Sequence, residues 1–270
     1  MGANKSTRSV DWDNSHSSRG KFARRAEYIG TSSCRSNVYI AAVRGKAIPS
    51  TLVASWRLLR SKRRPWWPGF GEPFNGQAER TKIILELVGA LKPAACIETG
   101  TFFGFTAARL AEFGTPVYTI ERDPGFFHVS RVRLLRKRNV RVLQGDSARV
   151  LPELAADGRI RKPFVYLDAH WGEGLPLVTE VETVLRAWHD CVIVVDDCLV
   201  PHDPDYGYDT YAGQALSQDM LTLPSDVVAA YPSLSAANET GARRGTLYLG
   251  QGCGATSLRD LIDSGQLVRA

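Results

Sequence analysis

The sequence predicts an α/β fold in which a mostly parallel, seven-stranded sheet is doubly wound, with helices on both faces. Three observations carry that prediction. Short apolar runs bounded by turns recur from residue 76 onward, helical stretches separate them, and successive runs end in acids or acid-bearing turns. At 270 residues and 44% hydrophobic, the chain can bury a sizeable core without disulfides or a structural metal.

Residues 1–36 are polar, basic and rich in serine, and are expected to be a disordered tail. Residues 37–75 read as a basic helical or linker extension. Its helix runs from Pro49 to about Lys62, with Leu52, Trp56 and Leu59 on one face, and leads into Lys62-Arg63-Arg64-Pro65-Trp66-Trp67-Pro68. Such a segment either packs its apolar stripe on the main body or contacts a membrane surface or nucleic acid. The net charge of +6 is unevenly spread: residues 1–64 hold 14 Lys/Arg against 3 Asp/Glu, leaving 20 against 25 for residues 65–270. The body is therefore acidic, which makes nucleic acid an unlikely partner for it.

The domain proper is expected over 76–270. Ile84, Leu87, Val88 and Leu91 recur at helical spacing before Pro93. Strands follow at 94–98, 117–121, 140–144, 164–168 and 191–196, with a late pair at 227–231 and 246–250 to close the sheet. Among the intervening helices, the clearest places Leu177, Val181, Leu185 and Trp188 on one face. The stretch 124–138 carries Arg131, Arg133, Arg136, Lys137 and Arg138 on a solvated face. The five cysteines never fall as Cys-x-x-Cys, which suits buried thiols in a reducing compartment. No run is long and apolar enough for a membrane span, and the first thirty residues lack a secretory core. The expected location is the cytoplasm, with peripheral membrane contact through the basic segment as a further option.

In open α/β sheets, ligands bind beyond the carboxyl ends of the strands. Here those ends carry Glu98, Glu121, Gly145-Asp146-Ser147, Asp168 and Asp196-Asp197. The first turn, Glu98-Thr99-Gly100-Thr101-Phe102-Phe103-Gly104, lacks the Gly-x-Gly-x-x-Gly spacing of dinucleotide sites. Glu121 lies 21 residues after Gly100, where an acid accepts hydrogen bonds from both ribose hydroxyls, so the pair points to an adenosine-containing ligand. Asp168, Asp196 and Asp197 are placed either to converge on a hard divalent cation or to cap helices and pair with arginines. His170 borders that site as a candidate general base. The segment His202 to Asp209, with Tyr206, Tyr208 and the following Tyr211, is either a substrate mouth or a surface loop.

This ordered set resembles the class I S-adenosylmethionine-dependent methyltransferases, a Rossmann-like fold, and within them the metal-dependent catechol and macrocin O-methyltransferases. The resemblance covers roughly residues 76–205. It implies that Gln77, Glu98, Thr99, Gly100, Thr101, Gly104, Glu121, Asp146, Ser147 and Asp168 hold S-adenosylmethionine, and that Asp168, Asp196 and Asp197 ligate Mg2+. Trp171 stands where the catechol enzymes carry their catalytic Lys, and His170 stands at the base position of the macrocin type. His170 and Asp168 are thus the implied catalytic pair, and Trp171, His202, Tyr206 and Tyr208 the implied acceptor contacts. The implied activity is methyl transfer to a hydroxyl of a sugar, natural product or catechol-like small molecule. Two other readings stay open: a nicotinamide-dependent oxidoreductase on the same fold, and a non-catalytic protein that binds through its basic N-terminal segment. The sequence does not set the oligomeric state.

Overall fold

A computed structural model describes residues 71–170 and 174–270. The expected tail, the helix from Pro49, and Trp171 lie outside the described residues.

A 3₁₀ turn, Pro73–Gly76, opens the described chain, with Phe74 buried and Asn75 in the left-handed region. Helix α1, Ala78–Leu91, buries the predicted stripe together with Ile83, and ends at Lys92, whose N–H reaches the Val88 carbonyl just before Pro93. Then follow β1 Cys96–Thr99, α2 Phe105–Leu110, β2 Val117–Glu121, α3 Pro124–Leu134, β3 Val140–Gln144, α4 Ser147–Ala156, β4 Phe164–Leu167, α5 Leu177–Ala187 and β5 Cys191–Asp196. Asp123 and Asp146 cap α3 and α4 by accepting hydrogen bonds from the N–H groups of Phe126 and Ala148. A small hairpin, β6 Thr210–Tyr211 and β7 Gln214–Ala215, precedes β8 Val228–Pro232, β9 Thr246–Gln251, α6 Cys253–Asp263 and β10 Leu267–Arg269.

The main sheet runs β10-β8-β9-β5-β4-β1-β2-β3. Strands β1 to β5 pair parallel, and β9 enters antiparallel beside β5. All seven predicted strands are present, with ends shifted by a residue or two. The eighth, β10, is a difference from the predicted count: it pairs antiparallel with β8 at the edge. Only Leu267 of its three residues is buried, so it carries no apolar pattern for a sequence to reveal.

Alternation along the strands feeds two cores. Cys96, Phe164, Tyr166, Val192, Val194 and Tyr248 face α1, α2 and α6, while Ile97, Val165, Leu167, Ile193, Val195 and Leu249 face α4 and α5. The chain winds outward from β1 to β2 and β3, then returns to place β4 on the other side of β1. That reversal opens a crevice beyond the ends of β1 and β4, the position where such sheets bind ligands. Cys96, Cys191 and Cys198 are buried free thiols, pushed up to about 12 by burial.

Phe164 is fully buried at the start of β4. Phe164→Ala is expected to cost about 3–5 kcal/mol in urea-unfolding free energy, because the cavity it leaves lies between sheet and helix.

Candidate functional site

Beyond β1 the backbone folds into a tight turn. The N–H groups of Gly100 and Thr101 both donate to the carbonyl of Ile120, at 3.0 and 3.2 Å, and Gly104 N–H donates to Thr101 at 2.7 Å. Gly100 has φ +79°, and a Cβ there would lie 2.2 Å from the carbonyl oxygen of Asp168. Only glycine lets the turn press on the end of β4. Gly104, also in the left-handed region, starts α2.

Two glutamates brace this turn. Glu98 is buried, and its Oε2 accepts from the Thr119 hydroxyl at 2.5 Å, with Thr101 Oγ1 hydrogen-bonded to Thr119 Oγ1 behind it. Burial pushes the Glu98 carboxyl up to about 8, against the bond from Thr119. Glu121 accepts from Phe102 N–H at 2.7 Å and from Asp123 N–H at 2.8 Å, so the ribose-binding candidate also clamps the turn to the head of α3. Around the turn, Phe102, Phe103 and Phe126 form an aromatic rim with ring centroids 4.2 to 5.3 Å apart. Asp146 and Ser147 sit at the head of α4. Below them the fully buried Glu180 of α5 faces the hydroxyls of Ser147 and Thr99 without a hydrogen bond of standard geometry, and burial pushes it up to about 7.

Across the crevice lies the acid cluster. Asp168 is half buried, and its N–H donates to the Thr99 carbonyl at 3.1 Å. Burial and the charges of Asp196, Asp197 and Glu98 hold its carboxyl well above the usual range. Asp196, at the end of β5, points from the face that α1 covers, and Arg80 of α1 meets it at 2.5 Å. Tyr166 donates to Asp196 Oδ2 at 2.5 Å, and Asn75 donates to the same oxygen at 2.9 Å. Arg80 is fully buried, and its Nη2 is held by the carbonyls of Arg244 and Gly245. Burial opposes its charge, but Asp196 and Tyr166 beside it hold the guanidinium above its ordinary value. Asp197 takes a left-handed φ of 55° and accepts from Arg244 Nε at 2.6 Å; Arg244 Nη2 also bonds Asp209.

The structure therefore gathers Glu98, Thr99, Gly100, Thr101, Gly104 and Glu121 at one turn, and Asp168, Asp196 and Asp197 around the ends of β4 and β5. Several expected site residues have other engagements. Gln77 is buried with both ends of its amide spent on the main chain of Arg244, at 2.7 and 3.1 Å, and so locks that arginine. Tyr206 is a core residue whose hydroxyl donates to the Leu234 carbonyl, because its loop folds inward against β8. His202 meets the Pro232 carbonyl at the end of β8, while Tyr208 is exposed. A divalent ion held by Asp168, Asp196 and Asp197 does not fit these bonds: Asp196 and Asp197 already accept from guanidinium groups, and no group of three ligating side chains suited to a metal occurs among the described residues. His170 is 2% exposed, its ring lies beside the Leu167 backbone without a hydrogen bond of standard geometry, and burial pulls it down to about 4.

Sequence reading missed Arg80, Arg244, Asn75 and Tyr166, and placed Asp209 only in a loop that could line a substrate mouth. Arg80 carried one available signal, a charge one turn before Ile84 on the apolar stripe of α1.

No protein-family model matches the sequence. Among solved structures, the chain is similar to the O-methyltransferase TomG from Streptomyces achromogenes, involved in tomaymycin synthesis and solved in complex with S-adenosylmethionine. The identity is 22%, over 76% of this chain and 92% of that one, with a TM-score of 0.50. It is likewise similar to cofactor-bound Rv0187 from MTB, at 21% identity over 74% and 89% of the two chains, with a TM-score of 0.50. The fold is thus the Rossmann-like fold of these proteins.

The raised Glu98 fixes a pH dependence. Its stabilising contribution is complete below the unfolded value of 4.5 and is lost as pH rises through about 8. The urea midpoint is expected to fall between pH 5.5 and 8.5, and Glu98→Gln is expected to shrink that fall; an unchanged pH profile in the variant would place the effect elsewhere.

Proposed function

We propose that the chain is an S-adenosylmethionine-dependent O-methyltransferase acting on a hydroxyl of a small molecule. The observation that carries this reading is the glycine turn after β1 with Glu121 at the end of β2, set at the reversal of the sheet. The donor set suits a sulfonium nucleoside: Glu121 offers its carboxyl oxygens to ribose hydroxyls, and a cationic centre beside Asp168 and Glu98 would favour the ionised form that burial opposes in both. The similarity in fold to two cofactor-bound structures supports the same reading. The acidic body, with 20 Lys/Arg against 25 Asp/Glu over residues 65–270, favours a small acceptor such as a sugar, a natural product or a catechol-like phenol.

When bound, S-adenosylmethionine would supply an electrophilic methyl group to the acceptor oxygen, with His170 placed to take the acceptor proton. The chain's own contribution is mostly orientation. The turn from Gly100 to Gly104 would seat the methionine part, Glu121 the ribose, and Asp146 with Ser147 the adenine side. Gln77, spent on Arg244, would act by fixing the loop behind the site. His170 is drawn down to about 4 by burial, so its ring is neutral from pH 5 to 8, the form that can take the hydroxyl proton.

Calorimetric titration checks the cofactor: S-adenosylmethionine and S-adenosylhomocysteine are expected to bind, NADH is not, and Glu121→Ala is expected to weaken binding about 10- to 100-fold through lost charge-assisted hydrogen bonds. Failure of both adenosyl ligands to bind would remove the reading. His170→Ala is expected to lower turnover about 10²- to 10⁴-fold, measured as S-adenosylhomocysteine release across a panel of hydroxyl acceptors, with cofactor affinity nearly unchanged.

A further inference from the structure

Two of the three acids beyond β4 and β5, Asp196 and Asp197, already give carboxylate lone pairs to neighbouring donors. Asp196 Oδ1 accepts from Arg80 Nη1 and from the N–H of Asp197 at 2.8 Å, while Oδ2 accepts from Asn75 and Tyr166. An ionised carboxylate offers about four acceptor sites, so Asp196 is saturated. Arg80 has no room to step aside, because its second terminal nitrogen is held by two main-chain carbonyls. Displaced from Asp196, it would remain a buried cation without a counter-charge. Beside it, Arg244 spans Asp197 and Asp209 through two nitrogens, as a bridging ion would. The Gln77 amide fixes the N–H and C=O of that same arginine, so its position is built into the fold.

We infer that this is an arginine-neutralised site: Arg80 and Arg244 stand in place of a divalent cation, and the chain acts on its acceptor without one. The part concerning the acceptor rests on the methyl-transfer reading; the part concerning the cation does not. Two of the three acids that the resemblance assigns to a metal already carry a guanidinium. With no Lewis acid on the acceptor oxygen, its proton passes directly to a side chain of this protein as the carbon–oxygen bond forms.

The test titrates the full-length protein with Mn2+ and follows the free-ion signal by electron paramagnetic resonance, for the unaltered chain and for Arg244→Ala. Calorimetry with S-adenosylmethionine, with and without EDTA, runs alongside. The unaltered chain is expected to leave the signal undiminished up to about 1 mM Mn2+, and Arg244→Ala, which uncovers Asp197 and Asp209, is expected to bind the ion at least ~10-fold more tightly. EDTA is expected to leave cofactor binding and turnover unchanged. Half-saturation of the unaltered chain at or below about 100 µM Mn2+, abolished by Asp168→Asn, would overturn the inference. Loss of S-adenosylmethionine binding with an undiminished Mn2+ signal would instead strike only the methyl-transfer reading.

Discussion

The burial of Arg80 is the constraint on which the ligand-binding edge of this protein depends. A guanidinium taken wholly out of water must find a counter-charge and acceptors for its N–H groups, or the fold loses several kcal/mol. Here it finds Asp196 from β5, the Tyr166 hydroxyl from β4, and two carbonyls from the segment entering β9. One side chain therefore ties α1 to three strands that are distant in sequence. Such an ion pair adds little net stability over an apolar substitute, but it leaves few alternative arrangements for the groups around it. Asn75, Asp197 and Arg244 take their places against that fixed centre.

The turn after β1 is the second fixed point, and it works by exclusion instead of attraction. Because Gly100 carries no Cβ, the turn lies directly on the main chain at Asp168, which brings the cofactor-binding candidate and the acid cluster onto one crevice. Glu98 and Glu121 then hold the turn from below and beside through Thr119, Phe102 and Asp123. Both glutamates are raised by burial, which favours their protonated forms, and a cationic ligand beside them would pull the two carboxyls back towards ionisation.

The strands were legible because β1, β4 and β5 are buried on both faces and read as unbroken apolar runs ending in acids. The glycine turn, Glu121, Asp168 and the Asp196-Asp197 pair were legible for the same reason, since each directly follows such a run. Arg80 and Arg244 were not, because their partners lie 116 and 47 residues away and nothing local marks a charge as buried. Gln77 and Tyr206 were assigned to ligand contacts on position alone, whereas side-chain direction decided their roles. His202 shows the same limit: a loop rich in turn residues does not announce which strand end it folds against.

Among the described residues, one edge of the main sheet is β3, which pairs with β2 alone. An unpaired strand displays a row of N–H and C=O groups that a second molecule could extend into a continuous sheet. On β3, Arg141 and Gln144 are exposed while Val142 and Leu143 between them are half covered, and Arg131, Arg136 and Arg138 stand out from the neighbouring helix and the turn that follows it. Two copies approaching along this edge would bring clusters of like charge together before any backbone bond could form. Like charge along this edge raises the electrostatic cost of pairing two copies through β3.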